Sequence, residues 1–305
     1  MSVIATTTTT PTPTPNVTEA TAKLSQKEII PTKTDVGALA NRINLETQTL
    51  HNKVDKMVTL KMAIALRNYK VFRQGLQAFY HVFATIETCL QNQLENDPNS
   101  KWSIMLQQVW KPEIARKAKA EQDLLFFYDD NKSKFINAKM VEQINFVNHI
   151  KQVTSEKPYL LFAYFHVMYL ALFAGGRIMR SSFTKATGMY PKKDGLTHDQ
   201  IVKLGTNFFT FDVADEDMLR VIYKRDYELA TRNGLTEEQK LEIIEESKYI
   251  FEQNVRCLVE LEEYNLEKIH GTWTYFAFTK GTYAVAIVLC VLLLLYAQRI
   301  LSGYL

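Results

Sequence analysis

Six histidines stand in the chain (His51, His81, His149, His166, His198 and His270), none in a metalloprotease pattern. HExxH pairs, EF-hand loops, GxSxG elbows and Walker loops are all absent, which removes the commoner hydrolase and nucleotide-binding chemistries. His51 lies within ALANRINLETQTLHNKVDK, with Thr47 and Asp55 one turn to either side on the same helical face. A neutral imidazole there could ligate the iron of a flat macrocycle, with the neighbouring acid orienting the ring through its free N–H. A lone histidine on a helix is more often structural, and spacing alone leaves both readings open. Gly175-Gly176 interrupts YLLFAYFHVMYLALFAGGRIMRSSF. Each glycine costs about 1 kcal/mol against alanine inside an otherwise strong helix. Either two helices approach closely there, or a flat ligand lies against the backbone with the helix bent over it. Arg220 and Lys224, one turn apart in MLRVIYKRDY, could take two carboxylates of such a ligand; by themselves they describe a solvated face.

Helices must position these side chains. From Asp35 to about residue 270 apolar residues recur at helical spacing with little strict alternation, and Gly (11) and Pro (8) are scarce. Leu39, Ile43, Leu50 and Val54 share one stripe, with Asp35 placed to cap it. Further helical runs cover 72–94, 117–128, 141–153, 158–187, 215–231 and 237–269. The last opens on Thr236-Glu237-Glu238-Gln239, a capping box. No linker divides them, so the fold class is all-α, one multi-helical domain over 35–270.

The two ends differ from this domain. Residues 1–34 carry TTTTTPTPTP and few large apolar residues, which predicts a disordered tail without the marks of a signal peptide. Asn16-Val17-Thr18 is then a chance sequon. Residues 281–297 read GTYAVAIVLCVLLLLYA without a charge, and 281–301 reaches the span of a membrane helix, about 20 residues. Tyr275, Tyr283, Tyr296 and Tyr304 suit the interfaces, and 271–280 is a juxtamembrane segment. A C-terminal tail anchor with the domain facing the cytosol is expected. Thirty-six basic against 33 acidic residues leave +3, too little for a nucleic-acid binder. Three scattered cysteines exclude a disulfide scaffold.

Taken together, the segments resemble the haem oxygenase family over about residues 36–265. The residues around His51 are similar to the family's proximal helix, and KAKAEQDLLFFY (117–128) to a characteristic segment. YLALFAGG (169–176), FFTF (208–211), the residues around Tyr223 and IIEESKYIFEQN (243–254) follow in family order. Length and tail look most like the fungal, membrane-anchored members. The resemblance implies haem b, both cofactor and substrate, between the helix of His51 and the distal helix of Gly175 and Gly176. His51 would be the axial ligand, with Thr47, Asp55 and Phe251 around it. Arg220, Lys224 and His166 would meet the propionates, and Asn254 would remain from the family's distal polar set. O2 and electrons from NADPH through a cytochrome reductase would open one meso carbon, giving biliverdin, CO and ferrous iron. The endoplasmic reticulum membrane is the location that this implies.

The departures are as specific. Leu172 stands where the family carries an acid that anchors proton-delivering waters, Ala171 stands for a glycine, Met168 for an arginine and Phe83 for a tyrosine. Two lysines near the propionates become Asn44 and Gln48. A haem sensor or carrier without oxygen activation, and a peroxidase-like haem protein, therefore stand beside the oxygenase.

Overall fold

The computed structural model describes residues 30–265 apart from 139, together with positions 280, 281, 283, 287 and 292. Among these residues the chain is helical and holds no strand. The expected tail up to residue 29, and nearly all of 271–280 and 281–301, lie outside the described residues. Among those described, no helix is long and apolar enough to cross a membrane.

The main helices are α1 Leu39–Ala65, α2 Tyr69–Asn96, α3 Lys101–Val109, α4 Lys117–Phe127 and α5 Val141–Glu156. A broken distal segment follows: α6 Leu161–Tyr164, a π-helical turn Phe165–Tyr169, and α7 Leu170–Phe183. Then come α8 His198–Leu204, α9 Glu216–Gly234 and α10 Glu237–Tyr264. Helices α2, α3, α9 and α10 start on side-chain caps from Asn68, Ser100, Asp215 and Thr236, the last in the expected capping box with Gln239. The short α3 and α8 carry too few periodic residues to stand out in the sequence.

Asp35 does not cap α1. Its carboxylate accepts from the Gly37 N–H at 2.8 Å and from Arg232 at 2.6 Å, and Ala38 occupies the cap position without a side-chain bond. The chain is already tied down ahead of Asp35, because Asn41 Nδ2 donates to the Thr32 carbonyl at 2.8 Å.

α1 packs chiefly along α10, and α2 lies against α4 and α5. α7 rests on the 3-10 turn Asn207–Phe209 and on α9. The core runs through α2, α6 and the π turn, where Phe83, Phe162, Phe165 and Tyr169 are at most 2% exposed.

Candidate functional site

α1 buries Leu39, Ile43 and Thr47 at one end and Ile64 and Ala65 at the other. Between Thr47 and Ile64 no residue is buried, although the stripe through Leu50 and Val54 continues. Its apolar residues there, Leu50, Val54, Met57 and Val58, are half-buried rather than buried, which leaves room for a partner along that face. His51 is exposed in that stretch, and Phe251 of α10 meets its ring edge-on with centroids 5.9 Å apart. The other two residues named around His51 do not join it. The Thr47 hydroxyl is buried and donates to the Ile43 carbonyl at 2.8 Å, and exposed Asp55 makes no hydrogen bond or ion pair among the described residues.

The distal segment is not one continuous helix. Five residues, Phe165–Tyr169, widen into a π turn, a frequent device for redirecting a helix at a functional site. Two buried tyrosines of α9 hold the backbone there: Tyr227 donates to the Phe162 carbonyl at 3.1 Å and Tyr223 to that of Phe165 at 2.9 Å. Beyond the bend, a Cβ on Gly175 would meet nothing within 4 Å, whereas one on Gly176 would touch the Phe209 carbonyl at 3.5 Å. Gly176 thus explains close packing, and Gly175 faces open space. Leu172, Met168 and Phe83 are all buried, at 8%, 5% and 2% exposed. Asn254 is buried too; its amide donates to the Ile250 carbonyl at 2.8 Å and lies 3.5 Å from Met168 Sδ.

Behind α7 sits a saturated charge network. Fully buried Asp123, from the EQDL segment, accepts from Asn207 N, Asn207 Nδ2 and Phe208 N, each at 2.8 Å. Fully buried Arg116 donates to the carbonyls of Phe208 and Thr210 at 3.0 Å and to those of Glu113 and Ile114. Between them they fix the 207–211 turn on which Gly176 rests. Burial pushes the Asp123 carboxyl up to about 7 against its three N–H donors, and pushes Arg116 down to about 10.

In front, charges stand alone. Half-buried Arg220 and exposed Lys224 form no hydrogen bond or ion pair among the described residues. Partial burial, then the charges of Arg220 and Lys33, lower the Lys224 ammonium, which places three cations together. Lys33 falls in the stretch expected to be disordered, so nothing in the sequence pointed to it. Lys224 also acts on His166, which is 6% exposed and lowered to about 4 by burial first and by that charge second. His166 Nε2 lies 2.9 Å from Asn44 Oδ1, tying the π turn to α1, and its Nδ1 is buried without a partner. A groove of about 620 Å³ lies elsewhere, between α5 and α10 around His149, Glu242, Glu246 and Tyr249.

A family model described as "Heme oxygenase" matches residues 37–260, most of the described domain. The chain belongs to the haem oxygenase family. It is 38% identical over 268 residues to the heme-binding protein HMX1 of Saccharomyces cerevisiae, covering 82% of this chain and 84% of that protein. Heme oxygenase 1 of Homo sapiens is 27% identical over 196 residues, covering 63% of this chain and 60% of the human one. Among solved structures, heme oxygenase-2 of Synechocystis sp. PCC 6803 in complex with heme and NO superposes with a TM-score of 0.64. It is 23% identical, covers 80% of this chain and 92% of that one, and supports the fold. The site of this haem oxygenase family member suits a haem on its own observations. An exposed imidazole lies beside a half-buried apolar stripe, a glycine opens onto free space, and unpaired cations stand beside an unpartnered buried nitrogen.

Proposed function

We propose that this chain is a haem-degrading oxygenase, opening haem to biliverdin, CO and ferrous iron with O2 and electrons from NADPH through a cytochrome reductase. Exposed His51 beside the half-buried stripe of α1 carries the proposal, together with the open space at Gly175. Haem bound there supplies the iron that activates O2 and the meso carbon that is oxidised. His51 would offer a nitrogen to the iron, and Phe251 limits how its ring can turn. The bend held by Tyr223 and Tyr227 sets the approach of α7, and the bare backbone of Gly175 lets the ring come close. Arg220 and Lys224 orient it through the propionates. Segment 281–301 anchors the chain in the endoplasmic reticulum membrane, domain towards the cytosol, and so keeps apolar substrate, reductase and enzyme on one surface.

A second reading, a haem sensor or carrier, draws on the buried Leu172, Met168 and Phe83 where the family's polar set is expected. Full-length chain in detergent, given haem, NADPH and a reductase, separates the two. Loss of the Soret band with a biliverdin-like absorption and trapped CO is the expected result; an unchanged haem spectrum through many reductase cycles selects the carrier. His51→Ala should abolish turnover, with partial recovery on adding imidazole. A variant whose haem spectrum matches the parent's would remove His51 from the iron.

A further inference from the structure

His166 stands in an unbalanced environment. An amide oxygen only accepts, so the 2.9 Å contact with Asn44 Oδ1 places the ring proton on Nε2. In the neutral ring Nδ1 is then a bare acceptor, and it is buried with no donor. The groups that face the ring are few. From α1 comes Asn44; from α9 come the Tyr227 ring, with centroids 5.6 Å apart, and the Lys224 ammonium. The Tyr227 hydroxyl is turned to the Phe162 carbonyl, and among the described residues no carboxylate acts on the imidazole. Arg220 and Lys33 stand behind Lys224. A lone pair beside unpaired cations repels a carboxylate drawn in by those cations. One proton on Nδ1 turns that repulsion into a charge-assisted hydrogen bond.

We infer that His166 takes up a proton as a carboxylate of the bound ligand enters beside Lys224, and donates its Nδ1–H to that carboxylate. The proton comes from solvent, and no other bond is made or broken. This rests on the haem proposal, in which the carboxylate is a propionate. Free His166 is neutral at pH 7, so binding consumes a proton, and haem affinity falls by up to about tenfold per pH unit while the bound ring stays charged. His166 thereby makes haem retention pH-dependent, a property that a tyrosine at the same place would lack.

Calorimetric titration of the full-length chain with ferric haem, in two buffers of different ionisation heat at pH 7, counts the protons. The expected result is an uptake approaching one per haem in the parent and none in His166→Gln. Haem dimethyl ester, whose propionates carry no charge, should bind the unaltered parent without uptake, which keeps the test independent of the variant's folding. Haem binding without uptake, or equal uptake with the ester, overturns the inference and leaves the haem site standing. No binding of either ligand overturns the haem proposal and this inference together.

Discussion

The two sides of the distal segment treat charge in opposite ways. Behind α7, Asp123 and Arg116 are fully buried, and each holds a set of backbone groups at hydrogen-bond distance. In front, Arg220 and Lys224 meet no acceptor among the described residues, and His166 keeps one nitrogen unpartnered. Burying polar groups is tolerated where every bond is made, so the rear network belongs to the fold itself. The front set has no bonded partner among the described residues, and an anionic ligand would supply one. Saturation separates architecture from site here better than conspicuous residue types do.

Substitutions at the two sides should therefore separate stability from binding. Asp123→Ala carries the largest effect, because it strands three buried N–H groups. A loss on the order of 4 kcal/mol is expected in urea unfolding. A loss under about 1 kcal/mol would show that water replaces the carboxylate and that the rear is no tighter than the front.

Leu172→Asp comes next. Leu172 is buried along with Met168 and Phe83, so a carboxyl there would enter a dry pocket and stay neutral or destabilise by about 3 kcal/mol. The expected outcome is a lower unfolding midpoint without faster turnover. A variant as stable as the parent that turns over faster would mean that water reaches this position, and the distal acid could then simply be restored.

Buried titratable groups on the two sides also differ in sign. His166 lies below its ordinary 6.5, at about 4, so the unfolded chain binds the extra proton between those values. Stability from His166 is complete above about pH 6.5 and is lost as pH falls towards 4, by up to about 3 kcal/mol. Asp123 lies above its ordinary 3.8, at about 7, so its contribution falls as pH rises from 4 to 7. Replacing His166 by Gln should flatten the acid limb of the ligand-free protein between pH 6.5 and 4. An unchanged limb would mean that the imidazole is already hydrated in the free chain.

Much of this contrast is written locally, and its decisive part is not. The capping box at Thr236, the helices through 72–94 and 117–128 and the glycine pair follow from periodicity and propensity. The family is legible because its fragments survive in order. The π turn has no local mark: Tyr223 holds its Phe165 carbonyl and Tyr227 that of Phe162 just before it, 58 and 65 residues on. The EQDL segment can be recognised, yet the work of Asp123 appears only where residues 84 and 85 positions further on come to it. Asp35 has the residue type and place of a cap, but Arg232, 197 residues away, takes its carboxylate. The orphaned nitrogen of His166 is a fact of packing alone, which no spacing encodes.

The smallest effect on folding, and the sharpest on binding, is expected at the front. Arg220→Ala with Lys224→Ala removes two charges that touch no acceptor among the described residues, so unfolding free energy should stay within about 0.5 kcal/mol of the parent. Relief of repulsion among Lys33, Arg220 and Lys224 could even raise it slightly. Haem affinity should nevertheless fall by about 1–3 kcal/mol for each charge-assisted hydrogen bond removed. Glu at either position should weaken binding further than Ala, or change which meso carbon is opened, because it repels the propionate that fixes the ring. Spectroscopic titration beside urea unfolding reads both quantities on the same samples. Unchanged affinity and an unchanged product isomer would return Arg220 and Lys224 to an ordinary solvated face. The unsaturated front would then shrink to His166 and its single bare nitrogen.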